Sequence, residues 1–190
     1  MKAPIKICVL AAGLSLVSAI GIAQQRVHAV TGMVTAIHPK VEMISIEMDD
    51  GTPLYFHWVK RSDGAIEFDK NVKADATAVD KFDTGETHVI VYYFGDGDVR
   101  TAVALHDLGK GPVEKKTGAV VKFNKHDRLL TLKNSEGTEE SIHIDSKTVA
   151  DTSIGVATNF KFDYAKGDRV RVTSATVNGI STALLIAPPN

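Results

Sequence analysis

Four side chains able to hold a soft metal ion, Met43, Met48, His57 and Trp58, crowd into one short stretch of the chain. Thioether and imidazole donors together suit Cu(I) or Ag(I). Which of them can share an ion depends on strand register. Ile44, Ile46 and Met48 alternate onto one face of a strand, and Leu54, Phe56 and Trp58 onto one face of the next. For both sets to face one core, the hairpin between them needs an odd number of loop residues. Asp49-Asp50-Gly51 supplies three, with Gly51 free to take the left-handed position of a glycine bulge. The register then sets Met48 beside Thr52, Ile46 beside Leu54 and Ile44 beside Phe56. On the opposite face it sets Met43 beside His57 and Ser45 beside Tyr55. Met48 and Trp58 fall at opposite ends of the hairpin, about 20 Å apart at about 3.3 Å per residue, and cannot share an ion. The candidate metal ligands are therefore Met43 and His57. The competing reading is a surface histidine beside a surface methionine, because two ligands make a weak site and no third is visible. His28, His38, His88, His106 and His126 show no close metal-ligand spacing.

Other chemistries find little support. There is no G-x-S-x-G elbow, no H-E-x-x-H and no phosphate loop. Carboxylates are plentiful at Asp49, Asp50, Asp69, Asp75, Asp80 and Asp83, but they fall in turns and in a long connection, where acidic residues are expected without catalytic roles. No catalytic residue is assigned, and the expectation is a protein that is not an enzyme. Tyr92-Tyr93-Phe94 puts aromatics on both faces of a strand. An outward ring there serves either as a stacking platform for a sugar or peptide or as a cover for the Ser62–Phe82 connection.

The elements that position these residues occur twice. Thr31-Gly32-Met33-Val34 recurs as Thr117-Gly118-Ala119-Val120, and Asp50-Gly51-Thr52 as Glu136-Gly137-Thr138, both at an offset of 86 residues. Thr84-Gly85-Glu86 recurs as Lys166-Gly167-Asp168 after a small slip. A constant register of this kind is the mark of a tandem duplication. Each copy reads as five short strands, rich in β-branched and aromatic residues and broken by Gly, Pro, Asn and Asp. They span about 29–38, 41–48, 53–60, 87–94 and 99–106 in the first copy, and about 116–124, 128–134, 138–145, 169–175 and 180–187 in the second. The longest connection follows the third strand in both, and in the first copy it holds a candidate helical turn at 74–82. Leu108-Gly109-Lys110-Gly111-Pro112 is the expected linker. The fold class expected is all-β: two tandem five-stranded OB-like barrels, over 24–110 and 111–190, since five short strands with the long connection after the third is the OB-fold order.

The Thr-Gly-x-Val opening, the Asp-Gly hairpin, the Gly-Asp before the fourth strand and the alanine-rich fifth strand together resemble the exported small OB-like barrel domains of bacteria. More distantly, the scheme is similar to the periplasmic copper- and silver-binding barrels of metal efflux systems. The resemblance covers both repeats and rests on turn chemistry and core alternation. It implies a Cu(I) or Ag(I) ligand set in the third strand, yet Pro53-Leu54-Tyr55-Phe56-His57-Trp58 lacks that family's methionines. Repeat two carries Leu129, Asn134, His143 and Ile144 where repeat one has Met43, Met48, His57 and Trp58. A metal site would therefore belong to the first barrel.

Residues 1–23 read as a signal peptide. Lys2 and Lys6 flank an apolar run from Ile7 to Ile22, and Gly21-Ile22-Ala23 offers small residues for cleavage before Gln24. The one cysteine, Cys8, lies inside this segment. Cleavage leaves a chain without thiols, which excludes disulfides, thiolate metal sites and a cysteine nucleophile. It also removes two lysines, taking the formal charge from -1 to -3 and leaving no basic excess for nucleic acid and no membrane span. The expected protein is a periplasmic or secreted binding or interaction module without a resident cofactor, its partner a protein, a glycan or a metal. The alternative is a Cu(I)/Ag(I)-binding protein using the first barrel.

Overall fold

The computed structural model describes residues 26–48, 50–58, 82–97 and 100–189. The expected signal peptide and nearly all of the expected helical turn at 74–82 lie outside the described residues. The chain is all-β. In the first repeat β1 (His28–His38), β2 (Met43–Glu47), β3 (Pro53–Trp58), β4 (His88–Phe94) and β5 (Thr101–Gly109) close into a barrel of order β1-β2-β3-β5-β4. Every pairing is antiparallel except β3 with β5, which run parallel through His57 opposite Thr101 and Trp58 opposite Ala102. The hairpin register is the expected one: Met43 opposes His57, Ile44 opposes Phe56, Ser45 opposes Tyr55 and Ile46 opposes Leu54. The Met48 N–H donates to the Thr52 carbonyl, and Gly51 takes its left-handed φ of 78°. Ile44, Ile46 and Phe56 are wholly buried with Val34, Val89 and Val91. Leu54, Met48 and Trp58 pack at the edge of the same core.

The second repeat builds the same ring from β6 (Glu114–Asn124), β7 (Leu129–Lys133), β8 (Glu139–His143), β11 (Arg169–Val177) and β12 (Ile180–Ala187). The pairings run β11-β6-β7-β8, return from β8 to β12 through His143 opposite Thr182, and finish from β12 to β11. Leu130, Ile142, Ile144, Val172 and Ile186 fill its core. Two strands here exceed the expected five. β9 (Val149–Thr152) adds in parallel to the free stretch of β12, and β10 (Gly155–Ala157) pairs back on β9. The sequence shows no alternation there, because β9 is buried along three consecutive residues, Val149 to Asp151.

The repeated Thr-Gly motif has a steric origin. A Cβ on Gly32 would sit 2.8 Å from the Glu47 carbonyl oxygen, and one on Gly118 would sit 2.7 Å from that of Lys133. The first strand of each barrel crosses the second strand too closely there for any side chain.

A third apolar cluster joins the barrels. Ala29, Ile90, Tyr92 and Ala104 on the outside of barrel one meet Val149, Leu185 and Ala187 on the outside of barrel two. Tyr92 is the outward aromatic of its strand. It is covered by the second barrel, and neither a ligand platform nor a lid over the long connection is needed to explain its burial. Tyr93 turns inward and meets Phe56 edge-on, ring centroids 5.2 Å apart. Polar links seal the joint: Thr31 Oγ1 lies 2.9 Å from Thr173 Oγ1, and the Val156 N–H donates to the Val27 carbonyl at 3.0 Å. The Asp151 carboxylate accepts from the Ala29 N–H and faces His28 Nδ1, each at 3.2 Å.

Candidate functional site

The duplicated barrels leave a cleft where they meet, with a volume of about 250 Å³. Its floor is the apolar joint, with Ile90, Tyr92 and Leu108 from barrel one and Val149 and Ala183 from barrel two. Its rim is polar. His106 on β5 is the register partner of Ile90, and Lys147 and Asn159 come from the two turns that flank β9 and β10.

Those turns are held from within. Asp145 Oδ1 accepts from the N–H groups of Lys147 and Thr148, each at 2.8 Å, and the Thr148 hydroxyl donates to the Ala183 carbonyl at 2.8 Å. The Asn159 N–H donates to the Ser146 carbonyl at 3.1 Å, so the two turns are tied to each other. Asn159 and Phe160 both adopt left-handed φ, 52° and 58°. That conformation costs roughly 1–2 kcal/mol for a residue such as phenylalanine. The Phe160 ring is anchored against the barrel-two core with Arg128 5.9 Å above it. The rim is thus set by bonds that need no ligand.

Asp151 is a buried carboxylate of the joint. Burial pushes its carboxyl up from the ordinary carboxylate value, against the lowering pull of the Ala29 N–H and of His28. An apolar floor with a few fixed polar groups at a domain junction is the usual form of a small-ligand site.

The expected metal ligands lie elsewhere, on the outer face of β1, β2 and β3. Met43 and His57 are opposed as expected, Met43 half-buried and His57 exposed. Trp58 points to the core side and lies away from this face. The structure adds a neighbour that spacing alone did not show: His38, at the end of β1, is the register partner of Met43 on its other side. The tight connection 39–42 folds His38 back onto Met43, its Val41 N–H donating to the His38 carbonyl at 3.2 Å. Closing that hairpin in the sequence at Pro39-Lys40-Val41-Glu42 was the signal that would have found it. Among the described residues no cluster of three histidine, cysteine or carboxylate side chains could hold a metal.

No family model and no curated protein matches this chain.

Proposed function

We propose that the protein is a non-enzymatic, exported binding module that takes a small amphipathic molecule in the cleft between its barrels. The observation that carries this reading is the cleft itself. It exists only because two barrels are fused through a buried joint, and both contribute walls. The duplication thereby acquires a use that neither barrel has alone. A volume of about 250 Å³ fits a compact ligand near the small end of protein-bound small molecules. The apolar floor would bury its body, and Lys147, His106 and Asn159 at the rim would meet its polar end. Export is supported by the charged flank, apolar run and small-residue cleavage site of residues 1–23.

The test is a screen of small apolar acids, alcohols and monosaccharides by amide chemical-shift mapping. A ligand of the cleft shifts the amides of Ile90, His106 and Ala183 together and saturably. Ser146→Trp, which places an indole at the exposed mouth, abolishes those shifts while the rest of the spectrum is kept. Shifts that survive the tryptophan, or turnover of any screened compound by the purified protein, count against the reading. Expression in an export-competent host reads out localisation: a protein beginning at Gln24 in the exported fraction is expected, and an intact Met1 inside the cell argues against export.

A further inference from the structure

We propose that His38, Met43 and His57 form a three-coordinate site for one soft monovalent ion, Cu(I) or Ag(I), on the outer face of the first barrel. The inference is independent of the cleft. It rests on two registers read together. His38 opposes Met43 across β1 and β2, and Met43 opposes His57 across β2 and β3. Directly opposed residues of antiparallel strands project to the same face. That face is the outer one, because the neighbouring rung of Ile37, Ile44 and Phe56 points into the core, with Ile44 and Phe56 wholly buried.

The row therefore reads imidazole, thioether, imidazole across three adjacent strands. Strands lie about 4.8 Å apart, so the two histidine backbones are about 10 Å apart with the methionine between them. Imidazoles reaching inward from both sides can meet over the sulfur at that spacing. Both histidines are exposed and Met43 is half-buried. Among the described residues no side-chain hydrogen bond or ion pair engages His38, Met43 or His57, so their lone pairs are available.

The donor set selects the ion. Two imidazoles with one thioether and no carboxylate suit a soft ion, and thioether sulfur is a poor ligand for Mg²⁺, Ca²⁺ or Mn²⁺. The second barrel supplies an internal control. Its corresponding row, 86 residues on, is Asn124, Leu129 and His143, paired in the same register. There Asn124 is spent on its own turn, accepting from the N–H groups of His126 and Asp127 at 3.0 and 3.1 Å. One scaffold thus carries three donors in the first copy and one in the second.

The experiment is anaerobic titration of the purified protein with Cu(I) against a chromophoric chelator, with Ag(I) and Zn(II) as separate arms. One Cu(I) per chain is expected, with Ag(I) competing. His38→Ala, Met43→Leu and His57→Ala should each weaken binding by about tenfold or more, as loss of a ligand does, while His143→Ala changes nothing. The three positions face outward, so circular dichroism of the variants should match the parent. Ag(I) should move the Met43 methyl resonance and leave Met48 in place. No binding, Zn(II) binding in preference to Cu(I), or a His38→Ala variant that titrates like the parent overturns the proposal. The last result leaves at most the Met43 and His57 pair.

Discussion

The joint between the barrels buries Asp151, and two substitutions there separate its hydrogen bond from its charge. The carboxylate is 9 % exposed, accepts the Ala29 N–H at 3.2 Å and lies 3.2 Å from His28 Nδ1. Asp151→Ala leaves the Ala29 N–H without its side-chain acceptor inside the joint, a loss of about 1–3 kcal/mol for an unsatisfied buried donor. Asp151→Asn keeps an oxygen for Ala29 and can offer an amide N–H to His28, so it should stay within about 1 kcal/mol of the parent at neutral pH. The pH dependence follows from burial. The folded-state pKa of Asp151 is raised, so the folded protein holds the proton more tightly than the unfolded chain does. Its contribution to stability is greatest below the unfolded value of about 3.9 and declines as pH rises through the raised folded value. Urea unfolding followed by circular dichroism between acid and neutral pH measures this directly. The parent-minus-Asn difference isolates Asp151 from the other carboxylates, and it should fall as pH rises. An alanine variant as stable as the parent, an asparagine variant as damaged as the alanine, or a difference that grows with pH would each refute the reasoning.

Three further outcomes follow from the same geometry. Thr31→Val should cost about 1–3 kcal/mol by stranding the buried Thr173 hydroxyl, whereas Thr31→Val with Thr173→Val should recover most of it; a double-mutant cycle in urea reads the coupling. Gly118→Ala drives a Cβ to 2.7 Å from the Lys133 carbonyl oxygen and should lose about 1–3 kcal/mol despite the gain from a stiffer unfolded chain, which equilibrium unfolding measures. The Tyr164 hydroxyl is buried without a hydrogen-bond partner among the described residues, and burial pushes its pKa far above the phenol range. Tyr164→Phe should therefore raise stability by about 1 kcal/mol, seen as a higher urea midpoint, and a lower midpoint would mean that the hydroxyl has a partner.

The sequence by itself determined what local geometry controls. Alternation at Ile44, Ile46, Leu54 and Phe56, with Gly51 in a three-residue loop, was enough to set the register that the structure shows. A one-residue slip would have turned every core side chain outward. The recurrence of Gly32 as Gly118 marked the same crossing in both barrels, and the close approach of backbone carbonyls explains why. Only the tertiary structure decided which outer faces meet. Tyr92 and Val149 look like any surface aromatic and any connection residue until the barrels dock, because their burial comes from contacts far away along the chain. β9 and β10 had no periodic signal for the same reason: they are strands because β12 offers an edge and barrel one covers them. His38 stood five residues from Met43 at a spacing that suggests nothing. It became Met43's neighbour when the connection between β1 and β2 closed, for register across a hairpin brings together residues that spacing along one strand keeps apart.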